Sequence, residues 1–361
     1  MSALSERRYA ILTEGMLATS SGKTAHGVLR YRGDSVVAVV DSKFAGKRVN
    51  DVLPWLGSTA PIVASFQEAL AYEPSALLIG VATEGGRLPA EHRAAVLAAV
   101  DAGLEIVSGL HELLRDDAEI VARAERSGSR LWDVRLPPAN IPLFSGAAYR
   151  VPSQVVLAIG SDCAVGKMTA MLEIERAAKT SGTRVEFVAT GQTGILIAGK
   201  GIAVDRVISD FVTGAAEQLV VQASAEADVV LVEGQGGIFH PAYAPVTFGL
   251  LYGSAPDALV LCHRANKTHI DGWDVELPDL AGLVAIHEEL VGRIKPARVV
   301  AIALDTSALD EPSARDAIAR AAEQTGLFVD DPVRSGGTAM WRTIEQALRG
   351  TTKALLATGA P

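Results

Sequence analysis

The residues in this chain whose spacing speaks most directly of chemistry are Gly160-Ser161-Asp162-Cys163-Ala164-Val165-Gly166-Lys167, with Met168 and Thr169 behind them. Five apolar residues, Val155 to Ile159, precede this stretch, and Lys167 opens a helical run through Lys179. A glycine-bounded loop between a strand and a helix N-terminus turns its backbone N–H groups inward, where they meet phosphate oxygens. The lysine adds a point charge for an outer phosphate. The loop departs from the usual nucleotide-binding pattern in two places. Five residues separate Gly160 from Gly166, where the usual spacing is about four. Met168 stands where a magnesium-binding hydroxyl normally follows the lysine, and a thioether is a poor ligand for a hard cation. Thr169 lies about 100° further round the helix. The loop therefore supports phosphate binding without supporting magnesium-dependent nucleotide hydrolysis.

Other groups have types and positions suited to catalysis. Glu233 ends an apolar run where phosphate-loop enzymes carry a metal-binding or water-orienting acid, and Gly234-Gln235-Gly236-Gly237 permit close backbone approach. Asp162 reads either as a base or as a residue that caps the helix and tunes Lys167. His240 and His263 are candidates for proton transfer near neutral pH. Gln192 and Thr193, with Gln235, offer amide and hydroxyl hydrogen bonds to a polar substrate. Arg264 and Lys267 suit a carboxylate or phosphate. Cys163 lies near a helix N-terminus, where a thiol pKa falls, but no histidine adjoins it in sequence, so it reads as a packed loop residue. No Cys/His array has zinc-ligand spacing, and no metal site is expected.

The elements that must position these groups alternate in type along the chain. Tyr9–Thr13, Ser35–Val40, Ile62–Ala64, Ala76–Gly80 and Leu104–Ser108 read as strands, separated by helical stretches such as Phe66–Ala71 and Pro89–Ala102. Helices are also expected from Leu110 to Arg126. Gly22-Lys23-Thr24 has the wrong glycine spacing for a second phosphate loop, and Asp41, at a strand end, has no G-x-G-x-x-G before it. The proline-rich run from Trp132 to Asn140, with Ser145 to Pro152, reads as a linker. Strands then recur at Arg184–Ala189, Asp228–Val232, Asp257–Cys262 and Arg298–Leu304, between helices near 210–226, 280–293, 313–325 and 338–349. The pattern predicts an α/β protein of two doubly wound domains with mostly parallel sheets. These are a Rossmann-like domain over 1–135, a linker over 136–152, and a phosphate-loop domain over 153–361. The polar motifs fall at carboxyl ends of strands, where ligands bind in open α/β sheets.

Composition narrows the function. A net charge of −9 argues against a nucleic-acid or anionic-membrane partner. No apolar run approaches the ~18 residues of a membrane span. The N-terminal residues lack the apolar core of a signal peptide, and two cysteines far apart suggest reduced thiols, so a cytoplasmic location is expected.

Gly160 to Lys167 resembles the phosphate loop of dethiobiotin synthetase, which shares the five-residue gap and the aspartate. Gln192-Thr193-Gly194 and Glu233 to Gly237 resemble that enzyme's substrate strand and strand-end glutamate. Pro61 to Leu113 is similar to coenzyme A-binding Rossmann domains. Over nearly its whole length the chain resembles a bacterial and archaeal family long known only as a domain of unknown function. The matching segments are Gly22 to Gly27, Gly160 to Thr169, Gly191 to Gly194, Glu233 to Gly236 and His240 to Tyr243. Members of that family include D-glutamate N-acetyltransferase.

The resemblance implies acetyl transfer from acetyl-CoA to the amino group of an acidic amino acid, D-glutamate foremost. Loop residues 160–169 would then hold coenzyme A phosphates, and Glu233, with Asp162 or His240 behind it, would take the proton from the substrate ammonium. Gln192, Thr193, Gln235, Arg264 and Lys267 would contact the substrate, and backbone N–H groups near Gly234 to Gly237 would face an oxyanion. The alternatives are a Mg-ATP-dependent kinase or ligase of dethiobiotin-synthetase type, and a nucleotide-sensing protein without chemistry. A homodimer is expected by analogy with dethiobiotin-synthetase-like domains.

Overall fold

The computed structural model describes residues 7–350 and resolves into two compact units. The first takes the chain up to Pro137 together with Ile195–Arg206; the second takes Pro138–Gly194 and the chain from Val207. The first unit holds β1 (Tyr9–Leu12), β2 (Val36–Val40), β3 (Ile62–Val63), β4 (Ala76–Ile79), β5 (Glu105–Ser108) and β6 (Leu131–Asp133). They pair in parallel in the order β3-β2-β1-β4-β5-β6, the Rossmann order, with helices between them.

The second unit holds β7 (Gln154–Gly160), β8 (Val185–Val188), β9 (Val229–Val232), β10 (Ala258–Arg264), β11 (Arg298–Asp305) and β12 (Phe328–Asp330). Their order is β12-β11-β10-β7-β9-β8, again parallel throughout. Central β7 shows why this sheet reads as unbroken apolar runs. It lies between β10 and β9, and Val155 to Ile159 are each at most 1% exposed. Burying each of the Val, Leu and Ile side chains among them contributes roughly 1.5–3 kcal/mol. The expected α/β class with two mostly parallel, doubly wound domains is what the chain forms.

Several local expectations change. Trp132 and Asp133 belong to β6, so the proline-rich run begins after a strand rather than within a linker. Residues 138–152 group with the second unit, where Glu217, on the helix Val212–Ser224, collects their donors. Its carboxylate accepts from the Ser145 N–H (2.7 Å), the Ser145 hydroxyl (2.8 Å) and the Ala148 N–H (3.2 Å). Gln192-Thr193-Gly194 forms the first turn of a helix, Gln192–Ala198, rather than part of a strand. The stretch before Leu114 is loop, and the helix there runs Ala118–Ser127. The helix Ala244–Gly253 and edge strand β12 carry no signal in the reading above. Asp41 spends its carboxylate on the loops after β1 and β2, accepting from the Thr13 hydroxyl and the Leu17 and Lys43 N–H groups. Among the described residues no helix is long and apolar enough to cross a membrane.

Burial pushes the Glu217 carboxyl up, but the Ser145 N–H, Ser145 hydroxyl and Ala148 N–H outweigh it and hold the group below the usual carboxylate range. A depressed folded pKa gives stability that is present above the unfolded value of about 4.3 and is lost as pH falls through the folded one. Glu217→Gln should therefore cost roughly 1–3 kcal/mol at pH 7, with a deficit that shrinks in acid; thermal melts across pH check both.

Candidate active site

Four neighbouring strands, β10, β7, β9 and β8, deliver the site at their carboxyl ends. From β7 comes the phosphate loop, which enters the helix Lys167–Thr180 through Gly166 in the left-handed region. Ala164 also has positive φ, 51°, a strain of order 1–3 kcal/mol at a non-glycine residue. From β9 comes Glu233 and the glycine loop. A Cβ on Gly234 would lie 1.9 Å from the Ala158 carbonyl oxygen, so only glycine lets this loop lie against β7 and beneath Lys167.

The Lys167 ammonium is buried and donates to two carbonyls, Asp162 (2.6 Å) and Gly236 (2.7 Å). Burial pushes its pKa down, opposed by the charge of Cys163, Cys262, Asp162 and Glu233. Asp162 acts on Lys167 through its carbonyl and, at a distance, through its carboxylate's charge, but the hydrogen bonds of that carboxylate go elsewhere. That carboxylate pairs with Lys267 (2.9 Å) and accepts from the Cys163 and Asp271 N–H groups (2.6 and 2.9 Å). Burial pushes the carboxyl up; the Asp271 N–H, Lys267 and the Cys163 N–H prevail and hold it below its ordinary value. An acid so held is a poor proton acceptor.

Lys267 also pairs with Asp271, four residues on. Arg264 donates to the Ala164 carbonyl (2.7 Å) and lies near Asp271 and Asp305. Both cations predicted to meet a substrate carboxylate are thus engaged in tying the β10 loop to the phosphate loop. Asp271 was missed, although its i,i+4 spacing from Lys267 was a visible cue.

Glu233 is buried, and its Oε2 accepts from the Thr190 and Gly191 N–H groups (2.8 and 3.0 Å). Gly194 leaves room for that carboxylate, since a Cβ there would sit 2.4 Å from Oε2. Gln235 donates to Thr190 Oγ1 (3.2 Å), and Gln192 donates to Thr193 Oγ1 (2.7 Å). Glu233, Gln235, Gln192 and Thr193 therefore share one side of the site, across β9 and β8.

His263 Nδ1 meets Ser161 Oγ at 2.9 Å, and burial, helped by Lys267 and Arg264, pushes the ring down to about 4. Its hydrogen bond ties the end of β10 to the phosphate loop. His240 Nδ1 accepts from the Ala242 and Tyr243 N–H groups (3.1 and 3.3 Å). Its neutral ring therefore carries the proton on Nε2 and presents a donor. The fold also joins groups that are distant in sequence: an Asp162 carboxylate oxygen, Cys163 Sγ and a His240 ring nitrogen all lie within 4.8 Å of one another. This is the one such cluster of potential metal donors among the described residues. Lys267 already neutralises its carboxylate, which weakens the set as a cation site.

The chain has known relatives. A model described as a domain of unknown function, DUF1611_C, P-loop domain, matches residues 142–341, and its companion DUF1611_N, Rossmann-like domain, matches 42–137. The chain belongs to the DUF1611 family. A DUF1611 family protein from Anabaena variabilis, known from a crystal structure, is 38% identical, with a TM-score of 0.90 over 94% of this chain and 100% of that one. A relative from Tritonibacter scottomollicae named D-glutamate N-acetyltransferase is 36% identical over 319 residues, covering 88% of this chain and 92% of the relative. Another of the same name, from a Pseudoalteromonas species, is 36% identical over 281 residues, covering 77% and 84%.

For this DUF1611 chain, the buried Lys267–Asp162 pair is the support on which the loop rests. Lys267→Met would strand a buried carboxylate and should destabilise the protein by on the order of 3 kcal/mol, read as a lowered denaturation midpoint.

Proposed function

We propose that this chain transfers an acetyl group from acetyl-CoA to the amino group of D-glutamate, giving N-acetyl-D-glutamate and coenzyme A. The observation that carries the reading is the 36% identity, across 88% of the chain, to a relative named for that reaction. The site's chemistry agrees with it. Inward N–H groups at the start of the helix Lys167–Thr180, with the Lys167 ammonium, suit the phosphates of the acyl carrier. With Met168 at the hydroxyl position, the loop lacks the usual oxygen ligand for a magnesium nucleotide.

In this reading Lys167 releases the Asp162 and Gly236 carbonyls and takes up a phosphate oxygen. Glu233, oriented by the Thr190 and Gly191 N–H groups, accepts the proton that the substrate ammonium must lose before its nitrogen attacks. Gln192, Thr193 and Gln235 lie on the same side as Glu233 and contact the amino acid. Asp162 is assigned to loop architecture instead of proton transfer, because its lone pairs and charge are already committed.

The test is direct. Purified protein given acetyl-CoA and D-glutamate should release free thiol and consume primary amine in equal amounts. ADP release from ATP, magnesium and a carboxylic acid, without acetyl transfer, would contradict the reading. Lys167→Ala should raise KM for acetyl-CoA by about tenfold or more, the loss of one charge-assisted contact. Glu233→Gln should lower kcat by roughly 10²–10⁴-fold with the fold intact by circular dichroism.

A further inference from the structure

Cys163 reads from sequence as a packed residue because no histidine lies near it in the chain, yet the fold supplies what sequence withholds. His240, from the loop after β9, puts a ring nitrogen within 4.8 Å of Cys163 Sγ and of the Asp162 carboxylate. The ring is fixed by two backbone N–H groups on Nδ1, so its own N–H is a hydrogen-bond donor. The thiol is half-buried, not sealed, three residues before the helix N-terminal Gly166, and the Lys167 ammonium interacts electrostatically with it. The nearby cation and the helix N-terminus favour thiolate over thiol, against the Asp162 carboxylate, whose charge Lys267 offsets. The chain's other cysteine is a contrast: Cys262 is fully buried in β10, and burial pushes its thiol up to about 12. One of the two thiols is open to the site and the other is sealed in the sheet.

A thiolate in a loop proposed to hold an acyl thioester has an obvious electrophile. We propose that Cys163 carries the acetyl group between donor and acceptor; this rests on the acetyl-transfer reading above. In the first step Cys163 Sγ bonds to the acetyl carbonyl carbon and the carbon–sulfur bond to coenzyme A breaks. Coenzyme A leaves with that electron pair and takes up the proton the cysteine has given up. In the second step the D-glutamate nitrogen, after losing a proton to Glu233, bonds to the same carbon, and the carbon–Sγ bond breaks. Cys163 recovers its electron pair, and the nitrogen sheds its remaining extra proton to solvent. Nothing is oxidised or reduced, and no further reactant is needed. Thioester exchange costs little, because the bond broken and the bond formed are alike. Donor and acceptor can then use the same side of the loop in turn.

Isotope exchange separates this inference from the reading beneath it. Labelled coenzyme A, incubated with unlabelled acetyl-CoA and wild-type protein without D-glutamate, should enter the acetyl-CoA pool. Quenched protein should gain the mass of one acetyl group on the peptide containing Cys163, and double-reciprocal plots should be parallel. Cys163→Ala should abolish exchange and lower acetyl transfer by on the order of 10³-fold, while a thermal melt and retained coenzyme A binding report an intact fold. Acetyl transfer by wild type with intersecting plots, no exchange, and a Cys163→Ala variant within a few-fold of wild type would overturn the inference and leave the acetyl-transfer reading standing. Purified protein holding one zinc per chain, with Cys163 resisting iodoacetamide until the metal is removed, would also overturn it. Absence of any acetyl transfer by wild type would overturn both.

Discussion

A lysine ammonium buried at the mouth of a parallel sheet must find acceptors, and the second unit is arranged around two such lysines. Lys167, in the first turn after β7, reaches carbonyls of its own loop and of the loop after β9. Lys267, in the loop after β10, reaches the Asp162 carboxylate. Between them, three loops from three adjacent strands are cross-linked by charge-assisted hydrogen bonds in a region with little water. Desolvating either ammonium alone would cost several kcal/mol, so each partner is obligatory. The arrangement leaves a difference between the two. Lys267 meets a full opposite charge and is committed. Lys167 meets two neutral carbonyls, and an arriving phosphate would be a better partner than either. A cradle of this design holds its shape when empty and has a reason to rearrange when filled.

How much of this was readable from the sequence depends on the range of the interaction. The unbroken apolar run Val155 to Ile159 announces a strand buried on both faces, and the glycine-bounded loop before Lys167 announces an anion site, because both signals are local. Glu233 at a strand end and the clustering of polar motifs at carboxyl ends were legible for the same reason. The identities of partners were not. Nothing in the spacing says that Asp162 would choose Lys267, 105 residues away by their numbering, over Lys167 five residues on. Nothing local says that His240 would come to Cys163. The short edge strand Phe328–Asp330 and the proline-bearing helix Ala244–Gly253 were hidden because one is brief and the other apolar on all sides. The partners of Arg264 and Lys267 were hidden because Asp162, Asp271 and Asp305 come to them through the fold, Asp162 and Asp305 from far along the chain.

Met168, one of the phosphate loop's departures from its usual form, acquires a meaning on the proposed function. A nucleotide hydrolase needs a hydroxyl after the lysine to hold magnesium, and this chain has Met168. An acyl carrier's phosphates are a handle, not a reaction centre, so N–H groups and one ammonium suffice. On that proposal the chemistry lies at the thioester, and Glu233, His240 and Cys163 are the groups assigned to address a carbonyl and an amine.

A crystal structure of the complex with coenzyme A tests this account most directly. It predicts phosphate oxygens at the N-terminus of the helix Lys167–Thr180, Lys167 Nζ turned from the Asp162 and Gly236 carbonyls onto them, and the Lys267–Asp162 pair unmoved. Coenzyme A bound elsewhere, with Lys167 still on its two carbonyls and Mg-ATP occupying the loop, would contradict it.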